Sequence, residues 1–240
     1  MDSNSVDYLI DETKAYQLVT ERLEVTDSST SDIYARFNME AELMELILEL
    51  YQNEVQDIPF QKLEKFSIDQ ILSYLQASHK LYLSKKLPEI EQTMAHIFNK
   101  YGQTHQLLTS LTVFFNDYKN RLVSHIRMEE KDFFPFIKKL VAAFINKDNE
   151  KEILDLLKNQ SLASFDDNHD PIEDDLKQVT ELIHRFSENQ ETPLPYRVFL
   201  NQVDMFEMEL RKHAIIEDHM LVPMAKELER KLKLRVGFQN

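Results

Sequence analysis

Cysteine is absent from the 240-residue sequence. A chain without thiols forms no disulfide, offers no thiolate nucleophile, and cannot hold zinc or an iron–sulfur cluster through cysteine. Glycine is also scarce, with two in the whole chain. Because β-rich folds use glycine at turns and bulges, this scarcity favours long helices with few tight corners. The sequence therefore predicts an all-α protein.

Positive charge is in short supply as well. The 28 Lys and Arg residues against 42 Asp and Glu residues give a formal net charge of −14. Such a surface repels phosphate backbones and anionic lipids, so we expect binding neither to nucleic acid nor to a membrane. The N-terminus, "MDSNSVDYLIDETK", lacks a signal-peptide pattern, and no apolar run approaches the roughly 18 residues of a membrane span. These features favour a cytoplasmic protein.

Helical periodicity dominates the chain. From residue 65 onward it predicts four long helices, whose apolar stripes are buried most simply in an antiparallel four-helix bundle. We assign residues 65–230 to this bundle and residues 1–60 to a helical extension of unknown role. Pro88 is expected to kink a helix or to begin the next one. "FFP" at 133–135 is expected to break the helix over 105–130 and to lead into a further helical stretch that reaches about Phe144. The last long helix is predicted over 196–222, followed by a charged tail.

One motif occurs twice, 88 positions apart. In "HIRMEEKDFFP" (125–135) and "HAIIEDHMLVP" (213–223), a glutamate follows a histidine by four residues and a proline follows it by ten. Residues four apart lie on the same face of a helix, so His125 faces the same way as Glu129, and His213 the same way as Glu217.

Each of these motifs is preceded by one histidine on the helix before it. His79 lies 46 residues before His125, and His169 lies 44 residues before His213. The chain thus contains two similar hairpins, and in a bundle their inward-facing side chains meet at one level. Four imidazoles and two carboxylates inside an apolar bundle would each cost several kcal/mol unless they were paired.

A pair of cations would satisfy this cluster. Imidazole and carboxylate ligands suit iron, manganese or zinc, whereas calcium and magnesium prefer oxygen ligands alone. We therefore predict a two-metal site with one histidine pair per ion and both glutamates close enough to bridge. An alternative stays open, in which each motif is an ordinary pair of a histidine and a glutamate on the surface of a helix. In that case the protein is a metal-free helical interaction protein whose residues 1–60 bind a partner.

The two motifs resemble the His-x3-Glu signature of hemerythrin-like cation-binding domains. In addition, "SYLQASHKLYLSKKLPEI" (73–90) is similar to the first metal-binding helix of the repair-of-iron-centres diiron proteins, and "YGQTHQLL" (101–108) to a further stretch of that subfamily. The resemblance covers about residues 65–225 and implies a hemerythrin-like four-helix bundle.

As the cofactor, the resemblance implies two iron ions joined by an oxo or hydroxo group. Manganese or zinc could replace the iron. It implies four terminal histidine ligands and two bridging carboxylates: His79, His125, His169, His213, Glu129 and Glu217. Oxygen-carrying hemerythrins use a fifth histidine at the position of Glu173, so this chain fits the four-histidine repair pattern instead.

The function implied is recovery of iron–sulfur proteins from nitrosative or oxidative stress. It would proceed through nitric oxide or dioxygen chemistry or through iron donation, with iron–sulfur client proteins and an electron donor as partners. Whether the protein is an enzyme, with nitric oxide reductase-like or peroxide- or dioxygen-reactive activity, is left open, as is the choice between monomer and dimer. The alternative is a hemerythrin-like sensor or storage protein that binds oxygen or iron without turnover.

The sequence also gives expectations for single residues outside the predicted ligand set. Pro171, two residues after His169, predicts a kink near that ligand or a helix that begins there. We expect His96 and His184 at the surface or its boundary and His219 off the face of His213. His105 is a candidate for a hydrogen bond to a metal ligand. Two tyrosines, Tyr74 and Tyr118, are expected to pack in the core or to approach the centre.

Overall fold

A computed structural model describes residues 12–22, 40–52, 60–101, 106–146, 150–166, 175–177 and 194–237 of the chain. Within these ranges the regular backbone is helical throughout and no β-strand occurs, which confirms the all-α prediction for them. None of the helices in these ranges is both long and apolar enough to cross a membrane. The positions of His105, His169, Pro171, Glu173 and His184 lie outside the described residues.

The α-helices are numbered here in chain order. They are α1 Glu12–Arg22, α2 Ala41–Gln52, α3 Phe60–Leu63, α4 Ile68–Leu81, α5 Leu87–Tyr101, α6 Gln106–Met128, α7 Phe134–Ile145, α8 Glu150–Asn159, α9 Ala163–Asp166, α10 Leu194–Ile216 and α11 Val222–Arg235. Single π-helical turns join three consecutive pairs: Tyr82–Lys86 joins α4 to α5, Glu129–Phe133 joins α6 to α7, and Glu217–Leu221 joins α10 to α11. Ser67 caps the N-terminus of α4, since its hydroxyl accepts a hydrogen bond of 3.2 Å from the Asp69 N–H.

A proline is the second residue after each π turn. These prolines are Pro88, Pro135 and Pro223. A proline ring collides with the carbonyl four residues earlier and lacks an N–H group. Widening the preceding turn, so that the hydrogen bond spans five residues, lets the helix continue past this defect. The further helical stretch expected after "FFP" is α7, which a π turn joins to α6. The expected end near residue 222 is wrong, because that helix continues through a π turn into α11.

The long helices bury two apolar clusters. Helix α5 packs against α6 and α10, while α4 packs against α7 and α10, and α7 against α11. One cluster contains Phe134 and Ile216, and the other contains Tyr82 and Leu210. Five of the predicted metal ligands line a cavity whose apolar walls include Tyr82 and Leu210 of the second cluster. The His79 ring also stacks on Phe134 of the first cluster, with 5.5 Å between ring centroids.

Helices from the proposed N-terminal extension share this core. Helix α1 contacts α2 and α4, and α2 also contacts α10. On one face of α2, Leu43, Ile47 and Leu50 are buried in the same cluster as Phe134, and Leu46 packs against that cluster. The extension therefore packs directly on the helices of the predicted bundle, although the boundary near residue 60 stays a prediction.

Replacing Ile47 by alanine tests this packing. Ile47 is fully buried, so we expect Ile47→Ala to lower the free energy of unfolding by about 2–5 kcal/mol through lost burial and a residual cavity. Ile145→Ala makes the same change at a residue that is 66% exposed and should stay within about 0.5 kcal/mol of the wild type. Urea unfolding of the metal-free protein measures both. Equal, small effects would show that α2 does not contribute to the core.

Candidate metal centre

Three helical units bring the predicted ligands together. His79 lies in the last turn of α4 and His213 in the last turn of α10. Glu129 and Glu217 are the first residues of the second and third π turns. π turns within α-helices often lie at functional sites, and both predicted bridging carboxylates stand at the start of such a turn.

The Glu129 carboxylate lies between two imidazoles. Its Oε2 is 3.2 Å from His79 Nε2, and its Oε1 is 3.0 Å from His125 Nε2. The carboxylate is fully buried and His79 is 3% exposed, whereas the His125 side chain is 14% exposed. One carboxylate therefore faces ring nitrogens from two different helices.

His213 approaches the same point from α10. Its Nε2 atom is 3.1 Å from His79 Nε2 and 3.8 Å from Glu217 Oε2. The ligand atoms of His79, Glu129 and His213 all lie within 4.8 Å of one another, and all three residues are buried. These three residues form a group that could hold one metal ion.

A chain of hydrogen bonds fixes the orientation of His79 from its other side. The His79 Nδ1 atom is 2.8 Å from Glu130 Oε1. The second oxygen of Glu130 accepts a hydrogen bond of 2.7 Å from Gln76, whose own carbonyl accepts one of 3.1 Å from Lys138. A carboxylate at Nδ1 favours the proton there and leaves the Nε2 lone pair for a metal, as in many metal sites.

The charges in the cluster oppose one another without a cation. Burial acts to lower the pKa of His79, but hydrogen bonds with Glu129 and Glu130 outweigh it and raise that pKa. Burial acts to raise the pKa of Glu129, but hydrogen bonds with His125 and His79 hold it well below its usual range. Burial and the neighbouring His79 hold the pKa of His213 well below its ordinary value. The centre thus favours an ionised carboxylate and at least one unprotonated imidazole.

These residues fit a metal ion. Two ring nitrogens 3.1 Å apart cannot both donate a proton to each other, whereas both can donate a lone pair to one cation. A cavity of about 20 Å³, enough for one water-sized species, is lined by the five candidate ligands of the described residues. Its remaining walls are Tyr82, Leu122, Ile126, Leu210 and Ala214. The imidazole and carboxylate donors suit iron, manganese or zinc.

The other predicted residues lie in different places. His125 and Glu217 line the cavity but are not within the group of three, and the place of His169 stays a prediction. His96 and His219 are exposed, so neither faces the centre. Tyr74 is buried beside Tyr51, with 3.3 Å between their hydroxyl oxygens, and lies outside the cavity lining.

Two polar features beside the centre were not predicted from the sequence. Glu130 follows Glu129 in the motif, but its partner His79 lies on another helix, and spacing within one helix does not reveal such a pair. Buried Arg22 of α1 and Glu209 of α10 form an ion pair with 2.9 Å between nitrogen and oxygen. They are 187 residues apart in sequence, so no local pattern connects them.

Comparison with known proteins supports a distant relationship. The chain is 20% identical over 161 residues to the iron-sulfur cluster repair protein ScdA from each of two strains of Staphylococcus epidermidis. The matched region is 65% of this chain and 65% of the relative, so the chain spans slightly less than two thirds of the relatives' length. No family model and no solved structure matches the chain.

This similarity makes the chain a distant relative of an iron–sulfur cluster repair protein. It supports the relationship to repair-of-iron-centres proteins that the sequence motifs indicated. The wider hemerythrin-like assignment stays a prediction.

Removing the Glu130 carboxylate tests the orientation of His79. We expect Glu130→Ala to weaken Zn²⁺ binding by about 10–100-fold, because His79 loses the partner that fixes its ring. Asp132→Ala is the control, since Asp132 lies two residues further on and is exposed. Competition titration with a chromophoric chelator measures both affinities. If the two variants bind zinc equally well, Glu130 has no part in the centre.

Proposed function

We propose that this chain is a non-heme diiron protein of the iron-centre repair type. The observation that carries the proposal is the meeting of His79, Glu129 and His213, whose ligand atoms lie within 4.8 Å of one another in a buried place. The distant similarity to an iron–sulfur cluster repair protein supports the same function. Iron–sulfur proteins damaged by nitric oxide or by oxidants are the proposed clients.

The proposed ligand set extends the group of three. His125 and Glu217 line the same cavity, and each is one helical turn from another ligand in sequence. We assign His169, on the predicted third helix of the bundle, as the remaining histidine, which completes a four-helix bundle around two iron ions. Glu129 and Glu217 are then the bridging carboxylates, consistent with the position of Glu129 between two imidazoles.

A pair of ferrous ions supplies the capacity to bind nitric oxide or dioxygen, to exchange electrons, and to release iron to a client. The chain's residues hold and shield that pair. Glu129 faces two imidazoles at once, and Glu130 orients His79. The apolar side chains Leu122, Ile126 and Leu210 limit the water that reaches the centre. The net charge of −14 attracts cations toward the protein.

Iron content separates ligands from other histidines. We expect His125→Ala and Glu217→Ala to lose most of the iron that the wild type takes up on anaerobic reconstitution, because each removes a donor from the cavity wall. His96→Ala should retain it, since His96 is exposed. Metal analysis gives the stoichiometry, and anomalous diffraction at the iron edge gives the ligands. Equal losses in all three variants, or no metal in the wild type, would contradict the proposed site.

A damaged client tests the repair role directly. The iron-loaded protein should restore the cluster signal of a nitric oxide-treated [4Fe–4S] protein, whereas the His125→Ala protein should not. Electron paramagnetic resonance of the client follows the loss of its dinitrosyl-iron signal and the return of its cluster. Reversible oxygen binding by the iron-loaded protein, without nitric oxide consumption and without cluster recovery, would favour the sensor or storage alternative.

A further inference from the structure

An arginine of the N-terminal helix is buried beside the metal centre. Arg22 is the last residue of α1, and its side chain is fully buried. A buried guanidinium is rare in proteins unless it is paired. Its partner is Glu209 of α10, which is also fully buried, at 2.9 Å. Residues of the extension therefore supply a charge to the interior of the predicted bundle.

The guanidinium of Arg22 joins two ligand-bearing helices. On the α4 side it donates to Ser78 Oγ at 3.1 Å and to the Tyr82 hydroxyl at 3.5 Å. On the α10 side it donates to Glu209 Oε2, and it also donates to the carbonyl of Leu18 in its own helix at 2.7 Å. The rings of Tyr51, Tyr74 and Tyr82 surround it, with centroids 5.1–5.9 Å from its central carbon.

Each partner of Arg22 adjoins a candidate ligand. Ser78 directly precedes His79, and Glu209 lies one helical turn before His213. The Tyr82 ring meets the His213 ring edge-on, with 5.8 Å between centroids, and it forms part of the cavity wall. The Tyr82 hydroxyl also donates to the backbone carbonyl of Glu209 at 3.1 Å, which links the two helices a second time.

We propose that Arg22 is a positioning residue for the metal centre. It cross-links α4 to α10 one turn from His79 and His213 and so sets the separation of the two Nε2 atoms that face each other. The inference rests on the proposed function, because it assigns the N-terminal helix a role in holding that same centre. Residues of the 1–60 segment thereby become part of the site's scaffold.

The test needs variants that separate positioning from folding. Arg22→Met alone removes the fully buried partner of the Glu209 carboxylate and leaves it only Lys86, at 3.0 Å. Because a buried charge that loses a partner destabilises a fold, the double variant Arg22→Met/Glu209→Gln removes both charges of the pair together. Tyr82→Phe removes one hydroxyl of the cross-link and keeps the ring. Arg121→Met is the matched control. The Arg121 side chain also forms an ion pair, with Asp175, but it is 41% exposed.

Co²⁺ is the probe, because its visible absorption reports ligand geometry and its titration reports affinity. We expect the double variant to bind Co²⁺ about tenfold more weakly and with shifted absorption bands, as for other residues that orient metal ligands. Tyr82→Phe should change the bands in the same direction by a smaller amount. Arg121→Met should match the wild type in both respects, and thermal unfolding of the metal-free proteins identifies any loss of fold.

The two proposals fail in different ways. A folded double variant and a Tyr82→Phe variant that both keep the wild-type Co²⁺ spectrum and affinity would overturn the positioning role alone. A wild-type protein that binds no Co²⁺ would overturn the proposed metal centre and the inference with it. A changed spectrum in Arg121→Met equal to that in the double variant would also overturn the inference, because any lost arginine would then have the same effect.

Discussion

The burial of one carboxylate between imidazoles is the constraint on which the rest of the site depends. Glu129 has no exposed surface, and a buried charge of this kind costs several kcal/mol unless its surroundings offset it. His79 and His125 provide that offset from separate helices. The low dielectric of the two adjoining apolar clusters strengthens each contact, and it raises the cost of any contact left unmade. A helix that moved away from Glu129 would therefore leave a charge uncompensated.

The three π turns explain how the helices present these residues. A proline follows each turn at the same offset, and the wide turn carries the helix past the defect. In the second and third turns the first residue is a candidate ligand, Glu129 or Glu217. The repeated offset from histidine to proline was visible in the sequence. Proline alone predicts a kink or an end, however, and packing on both sides of the proline decides that the helix continues.

The sequence predicted the parts of the fold that depend on local pattern. Scarce glycine and helical periodicity were sufficient for the all-α class, and four-residue spacing was sufficient to pair His125 with Glu129. The repeated hairpins also predicted that His79, Glu129 and His213 meet from different helices. Contacts that no repeat marks were not predicted, since the charge pattern of one helix does not reveal which residue faces it. Glu130 with His79 is one such case, and Arg22 with Glu209 is another. Each of these two pairs joins helices that are distant in sequence, so the fold is needed to reveal it.

The negative charge of the buried carboxylate can be balanced by a proton or by a metal cation. Without a cation, and against the effect of burial, hydrogen bonds with Glu129 and Glu130 raise the pKa of His79 and so favour its protonated ring, while burial and the neighbouring His79 lower the pKa of His213. In the proposed centre, a metal ion would supply positive charge to the same cluster, and the Nε2 atoms of both histidines could hold it. Binding would then displace a proton, as is usual where ligands must be deprotonated. Because Glu130 contacts His79 through Nδ1, on the side of the ring away from Glu129 and His213, the ring would not need to turn for Nε2 to bind a metal.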